Sequence, residues 1–313
     1  MTIEFRPAVR SNVNLMIGLA GTSGSGKTYT AFRLATGMSG GKRFAVVDTE
    51  NGRASHYADS FAFDVAELRE PFTPERYSDA ILAADAAGYP VIVVDSMSHE
   101  HAGSGGLLDM QQAEFERMGS RDAAKMASWI KPKFEHKRML QHLLQLKAHL
   151  ILCFRAEPKI EMSKVDGKWQ VIPKPSLTGL DGWIPICEKN LPFELTVSIM
   201  LMPGQPGIPH PIKPLQPQHQ HLFPLDQVID ERCGEGIAKW AIGQALEYID
   251  EEQCARLETM CLDNSIDLAA LKRAAGVDII AHIPRDKFDR ALTWVETAVK
   301  RKNQTGEAHA AVR

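Results

Sequence analysis

The chain of 313 residues is 44% hydrophobic and 24% charged, which excludes a disordered or fibrous polypeptide and leaves room for two domains. Lys and Arg number 36 against 39 Asp and Glu, a net charge of −3, so binding to nucleic acid through bulk positive charge is excluded. Only a local basic stripe would serve that purpose.

Cys153, Cys187, Cys233, Cys254 and Cys261 form no Cys-x-x-Cys pair and read as free thiols. The N-terminal MTIEFRPAVR has no apolar stretch of the kind a secretory signal needs. The longest apolar runs, among them Val91–Val94 and Leu150–Phe154, are strand-length and far below the roughly 20 residues that span a bilayer. A soluble, cytoplasmic protein without a membrane partner is expected.

To about residue 200, β-rich runs at Asn14–Ala20, Phe44–Asp48, Pro90–Asp95, His149–Phe154 and Phe193–Met200 alternate with helical stretches at Lys27–Met38, Pro74–Ala87 and Lys125–Lys147. Each run is continuously apolar, as a parallel sheet buried on both faces requires. The fold class is therefore α/β, with ligands at the carboxyl ends of the strands. Glu157–Ile160 and Trp169–Ile172, joined through Asp166-Gly167, predict a β-hairpin. Seven prolines from Pro203 to Pro224 exclude helix and central strand and predict a linker. Beyond it, Ile237–Tyr248, a helix capped by Asp250 and Gln253 and running to Met260, Ser265–Ala275 stopped by Gly276, and a helix from Pro284 to about Lys300 form a small helical domain, with a polar tail after Lys302. The domain boundaries so drawn are 1–202, 203–226 and 227–313.

Gly21-Thr22-Ser23-Gly24-Ser25-Gly26-Lys27-Thr28 satisfies G-x-x-x-x-G-K-[ST] between a strand and a helix. Its glycines let successive amides turn toward phosphate oxygens, and the helix start adds its positive end. Lys27 would reach the β- and γ-phosphates, Thr28 would hold magnesium, and Tyr29 follows among the nucleotide contacts. The alternative, a glycine turn that merely links strand to helix, is the weaker reading in this context. Val91-Ile92-Val93-Val94-Asp95-Ser96 ends a strand in a carboxylate, the Walker-B arrangement, in which Asp95 orders the magnesium shell next to the first strand. Phe44–Asp48 continues into Thr49-Glu50-Asn51-Gly52. Hydrolysis needs a carboxylate near the γ-phosphate to orient water, and Glu50 is placed for it. Asp48 points to the opposite side and reads as structural or as a nucleotide-edge contact; otherwise both acids only cap the strand.

GTSGSGKT, VVDTENG and VIVVDS occur in the order found in RecA/RadA-type recombinase ATPases. Over residues 14–200 the chain resembles phage-encoded RecA-like ATPases described as single-strand annealing proteins and grouped with the AAA family. DTENGRASHYAD, VDSMSHEH and HLILCFRAE carry the likeness further. The resemblance implies a RecA-like P-loop core using ATP and magnesium, with Gly21 to Thr28 as phosphate loop, Glu50 as catalytic carboxylate and Asp95 on the metal side. It also implies a ring or filament of identical subunits, single-stranded DNA as partner, phage or host recombination proteins nearby, and a bacterial host cytoplasm as location. At the tip of the strand that senses the γ-phosphate, recombinases carry a polar amide, whereas this chain has Cys153-Phe154-Arg155. Arg155 is then a candidate catalytic residue that contacts phosphate or a neighbouring subunit, or else an arginine paired with Glu157 or a helix end.

Two basic features bear on DNA, the second being Lys300-Arg301-Lys302 at the end of the last helix, where cations also simply complement its dipole. Lys125, Lys131, Lys133, Lys137, Arg138 and Lys147 run along one helical stretch with Trp129, Phe134 and His136. This strip either follows a phosphate backbone or, the reading favoured here, packs Trp129, Ile130, Phe134 and Leu140 on the sheet and leaves the lysines solvated. Lys164, Lys168 and Lys174 flank the hairpin and reach toward DNA or a subunit, or are simply solvated. His219, His221 and Cys233 lack metal-ligand spacing. The alternatives to a recombination ATPase are a nucleotide-gated assembly or loader protein and a DNA-translocating motor.

Overall fold

The computed structural model describes residue 10 and residues 13–165, 167–173, 182–243 and 248–310. The first part of the chain contains β1 (Met16–Gly21), α1 (Lys27–Met38), β2 (Phe44–Asp48), β3 (Phe63–Glu67), α2 (Pro74–Ala86), β4 (Val91–Asp95), α3 (Ser98–Ala102), α4 (Leu107–Arg117), α5 (Ile130–Leu143) and β5 (His149–Pro158). The remainder contains β6 (Ile160–Val165), β7 (Lys168–Pro173), β8 (Trp183–Pro185), α6 (Leu191–Glu194), β9 (Val197–Leu201), β10 (Pro209–Pro211), α7 (Pro217–Gln220), α8 (Glu231–Ala241), α9 (Glu251–Asp263), α10 (Leu268–Ala275) and α11 (Phe288–Ala310).

The main sheet has the order β10-β9-β1-β5-β4-β2-β3, and β8 pairs with the far end of β5. From β9 to β3 every pairing is parallel. Every residue of β1, β2, β4 and β9 is buried, which explains their unbroken apolar runs. On one face Ala45, Val47, Ile92, Val94, Leu150 and Leu152 share a core with Tyr77 and Ile81 of α2 and Met139 and Leu143 of α5. Residues one step along each strand face the other way. There the Phe32 ring of α1 lies 5.4 Å from Phe44 and 4.9 Å from Phe63.

Several expectations are corrected. Strand β3, absent from the expected elements, closes the sheet edge: only Phe63 is buried, and Asp64–Glu67 is exposed and carries no apolar run. The expected strand Phe193–Met200 begins only at Val197, after the helical turn Leu191–Glu194. The helix expected over 125–147 shortens to Ile130–Leu143 behind two 3-10 turns. The hairpin strands are Ile160–Val165 and Lys168–Pro173, so Glu157 belongs to β5; Asp166 and Lys174 lie outside the described residues. Pro284 caps a 3-10 turn at Arg285–Lys287 before α11 begins at Phe288, and that helix runs through the expected polar tail to Ala310.

The segment expected as a linker carries structure of its own. Pro209 and Pro211 sit in β10, antiparallel to β9 at the sheet edge, where a missing N–H is tolerated. Pro217 starts the one-turn helix α7. The chain divides into two compact units, Met1–Leu215 with Val228–Gly243, and Gln216–Gln227 with Gln244–Arg313. Residues 244–247 lie outside the described residues, and helix α8, expected as Ile237–Tyr248 in the C-terminal domain, spans Glu231–Ala241 and belongs with the sheet.

The reason is a close crossing of α8 over α1. A Cβ on Gly37 would stand 1.9 Å from the Glu231 carbonyl, and one on Gly234 would stand 2.3 Å from that of Leu34. Arg33 closes the contact with a forked ion pair to Glu231 at 2.6 Å, and Asp230 caps the helix by accepting from the Arg232 and Cys233 amides. The second unit packs α9, α10 and α11 around Leu257, Cys261, Leu271, Ile283, Phe288 and Val295. The capping box of Asp250 with Gln253 starts α9, and Gly276 ends α10 in the left-handed region. All five cysteines are free.

Gly37→Ala is expected to destabilise the protein by about 1–3 kcal/mol, because backbone and not a flexible side chain blocks the added methyl. Denaturant unfolding of Gly37→Ala beside the wild type measures it; an unchanged midpoint would show that the crossing can open.

Candidate nucleotide site

The loop between β1 and α1 is held by its own contacts. Gly24 and Gly26 adopt φ of 79° and 83°, in the left-handed region that favours glycine. The Ser25 amide and hydroxyl both donate to the Thr22 carbonyl, at 3.3 and 2.9 Å, and Lys27 Nζ donates to the same oxygen at 2.8 Å. The turn through Pro206 and Gly207 lies against Gly26, so the proline-bearing segment walls the loop. The start of α1 supplies free amides and the positive end of its dipole.

Asp95 ends β4, buried, and its Oδ2 accepts from the Thr28 hydroxyl at 2.5 Å. Its strand is not beside β1 as expected: β5 is inserted between them, and Thr28 reaches across to Asp95. Burial pushes the Asp95 carboxyl up, opposed by Thr28 and the charge of Lys27. The Lys27 ammonium is itself lowered by burial, against the pull of Cys153, Asp95 and Glu50.

Register determines which groups meet. Asp48, Asp95 and Cys153 are level across β2, β4 and β5. Glu50 and Arg155 each lie two residues further on, beyond the point where β4 has ended, and so face each other. Arg155 donates through Nε and Nη2 to Glu50 Oε1 at 3.0 and 2.7 Å, while Arg53 reaches Oε2 at 3.1 Å. The pairing of Arg155 with Glu157 weighed above is not made; Glu157 pairs with Lys159. Burial raises the Glu50 carboxyl, but the Arg155 hydrogen bonds and charge bring it below the ordinary 4.5. Asp48 is structural: its two oxygens accept from the amides of Glu50 at 2.6 Å and Ala54 at 2.9 Å, folding the turn that presents Glu50.

Tyr29, expected among the nucleotide contacts, is joined here by residues that carry no signal of their own in the sequence. Tyr29, 49% exposed, has its ring 5.5 Å from Phe61 and 6.2 Å from Tyr57, with Arg33 above it. Thr49 and His99 join at 2.8 Å beside Glu50. These residues become neighbours only when the turn after β2 folds back over α1.

The basic strip follows the favoured reading in part: Leu140 packs against the sheet core and the lysines lie at the surface. Pro132, His136, Met139 and Leu143 form the buried face of α5, whereas Ile130 and Phe134 are 70% and 63% exposed. Lys125, Lys131 and Lys133 pair with Asp122, Glu114 and Glu188. In the hairpin, Met162 is opposite Val171 and Lys164 opposite Trp169, so these side chains share one face with Ile160. Ile160, Met162, Trp169 and Val171 on that face are each at least 60% exposed. His219 and His221 fall in one unit and Cys233 in the other, and no metal-holding cluster occurs among the described residues. Nor, among those residues, is any helix long and apolar enough to cross a membrane.

A parallel α/β sheet with a phosphate loop at the tip of β1, and an acidic tip on β4 one strand removed, defines a P-loop nucleoside triphosphatase core. The family model described as an AAA domain matches residues 13–175, more than half of the chain. The chain belongs to that family and is a P-loop AAA-type ATPase. A search of curated proteins finds no match.

Arg155→Ala is expected to raise the Glu50 carboxyl from its depressed position toward or above 4.5, because burial then acts with less opposition. Carboxyl-carbon NMR titration measures this; an unmoved Glu50 would show that Arg53 alone holds it.

Proposed function

We propose that the protein is a magnesium-dependent ATPase that acts on single-stranded DNA in phage recombination or annealing, working as a ring or filament of identical subunits. The observation that carries hydrolysis is the convergence of Glu50, Asp95 and Thr28 at the mouth of the loop that holds Lys27. Thr28 and Asp95 offer hard oxygen donors 2.5 Å apart, a set that suits magnesium. When bound, that ion neutralises charge on the β- and γ-phosphate oxygens.

Lys27 binds the same phosphates, and the Tyr29–Tyr57–Phe61 rings give the base an aromatic wall. Glu50 accepts the proton of the attacking water. A carboxylate occupied by two guanidinium groups is a poor base, so Arg155 must first turn away, and a γ-phosphate is the anion to draw it. Arg155 then takes the place of the polar amide that recombinases carry at this tip.

For DNA, the support is the exposed hairpin face, where Trp169 can stack on a base while Lys164 opposite meets a phosphate. A protein partner loaded under nucleotide control is the second reading, favoured by the ion pairs that neutralise Lys125, Lys131 and Lys133.

Steady-state ATP hydrolysis with magnesium tests the chemistry. Lys27→Ala should lose nucleotide binding, whereas Glu50→Gln should keep it and lose turnover by about 10²- to 10⁴-fold. Wild-type turnover in Glu50→Gln would remove Glu50 as the base. For DNA, Trp169→Ala should weaken binding to an oligonucleotide by about 1–3 kcal/mol, and wild-type affinity should fall with salt at a log–log slope of about −0.7 per phosphate contact. ATPase activity indifferent to DNA, with no such slope, would favour the protein partner.

A further inference from the structure

The ladder between β2 and β4 ends at Asp48 and Asp95, so something else must set the distance between Glu50 and Asp95. Thr49, 4% exposed, supplies the tie. Its amide donates to the Asp95 carbonyl at 2.8 Å, and its Oγ1 accepts from the Ser96 amide at 2.8 Å. The same oxygen lies 3.0 Å from the Ser96 carbonyl and 2.8 Å from His99 Nδ1. The hydroxyl has one proton to give, and the Tyr77 hydroxyl already donates to the Ser96 carbonyl at 2.8 Å. With the Thr49 proton turned to His99, the neutral ring accepts it at Nδ1. The Phe72 ring, 5.0 Å away, backs the imidazole.

We propose that His99 is a positioning residue for ATP hydrolysis: through Thr49 it locks the turn bearing Glu50 to the tip of β4 bearing Asp95. The inference rests on the reading of Glu50 as the base. His99 stands on α3, the helix that follows β4, and the charged groups acting on it are Arg155 on β5 and Glu50 past β2. Burial and the Arg155 charge hold the imidazole below its usual 6.5, outweighing Glu50 and a backbone hydrogen bond with Thr49. The ring is therefore neutral at neutral pH. On acidification it gains a proton, Nδ1 turns from acceptor to donor, and a second cation stands beside Arg155. The Thr49 hydroxyl must then turn its own proton to the Ser96 carbonyl, and the new charge on His99 lowers the Glu50 carboxyl further and weakens it as a base.

The test is the pH dependence of kcat and KM for ATP in the full-length protein. Wild-type kcat is expected to fall on the acid side with an apparent pKa below 6.5 and KM nearly unchanged. His99→Ala and Thr49→Val should each lower kcat by about 10- to 100-fold, and the double variant should be no worse than either. His99→Asn keeps a polar atom near Nδ1 without titrating, so it should restore most of kcat and lose the acid limb. An acid limb unchanged in His99→Asn, or wild-type kcat in His99→Ala, would overturn the inference. Glu50→Gln assayed in parallel separates the two claims: turnover there would overturn the base assignment, whereas an unchanged limb in His99→Asn overturns only the positioning role. Loss of folding in His99→Ala, read by thermal unfolding, leaves His99→Asn as the deciding variant.

Discussion

The candidate site depends on one constraint, the parallel ladder that holds the carboxyl ends of β1, β5, β4 and β2 side by side. Neighbouring strands lie about 4.8 Å apart, so the backbone sets the spacing between phosphate loop, arginine and acids before any side chain acts. Gly21 is level with Arg155, and Cys153 with Asp95 and Asp48. The ladder thus decides that Arg155 meets Glu50 above the end of β4, and that Thr28 must span the width of β5 to reach Asp95.

Charge compensation follows from that placement. Lys27 and Asp95 are buried close together, and each is pushed toward its neutral form by burial while the other resists. Further out, Glu50 sits between Arg155 and Arg53. A polyanion entering here meets cations already turned inward.

Much of this was legible in the amino-acid order. The strands around Phe44–Asp48 and Val91–Asp95 were, because burial on both faces leaves an unbroken apolar run, and so was α1, because the phosphate loop announces it. Edge elements were not. Strand β3 buries one residue, and β10 is built from prolines that read as a linker. Helix α8 hides its attachment in two glycines, which carry no hydrophobic signal although they permit a close backbone approach between helices. In the site, Glu50 and Asp95 stood in recognisable strings, but the Glu50–Arg155 pair is separated by 105 positions and comes from strand register, which sequence spacing does not encode. The exposed Ile130 and Phe134 mislead in the opposite direction, since apolar residues at helical spacing ordinarily mark a buried face.

The place of β9 in the sheet has a consequence for modularity. β1 lies between β5 and β9, yet the family likeness ends at residue 175, before β9 begins. A polypeptide cut there would leave the phosphate loop hanging from an edge strand, with the main-chain groups of Ile17 to Gly21 open along one side and α1 stripped of α8. The stretch that the family likeness marks is therefore smaller than the compact unit that holds the phosphate loop. Any exchange of this ATPase between proteins has to carry the chain on through Gly243.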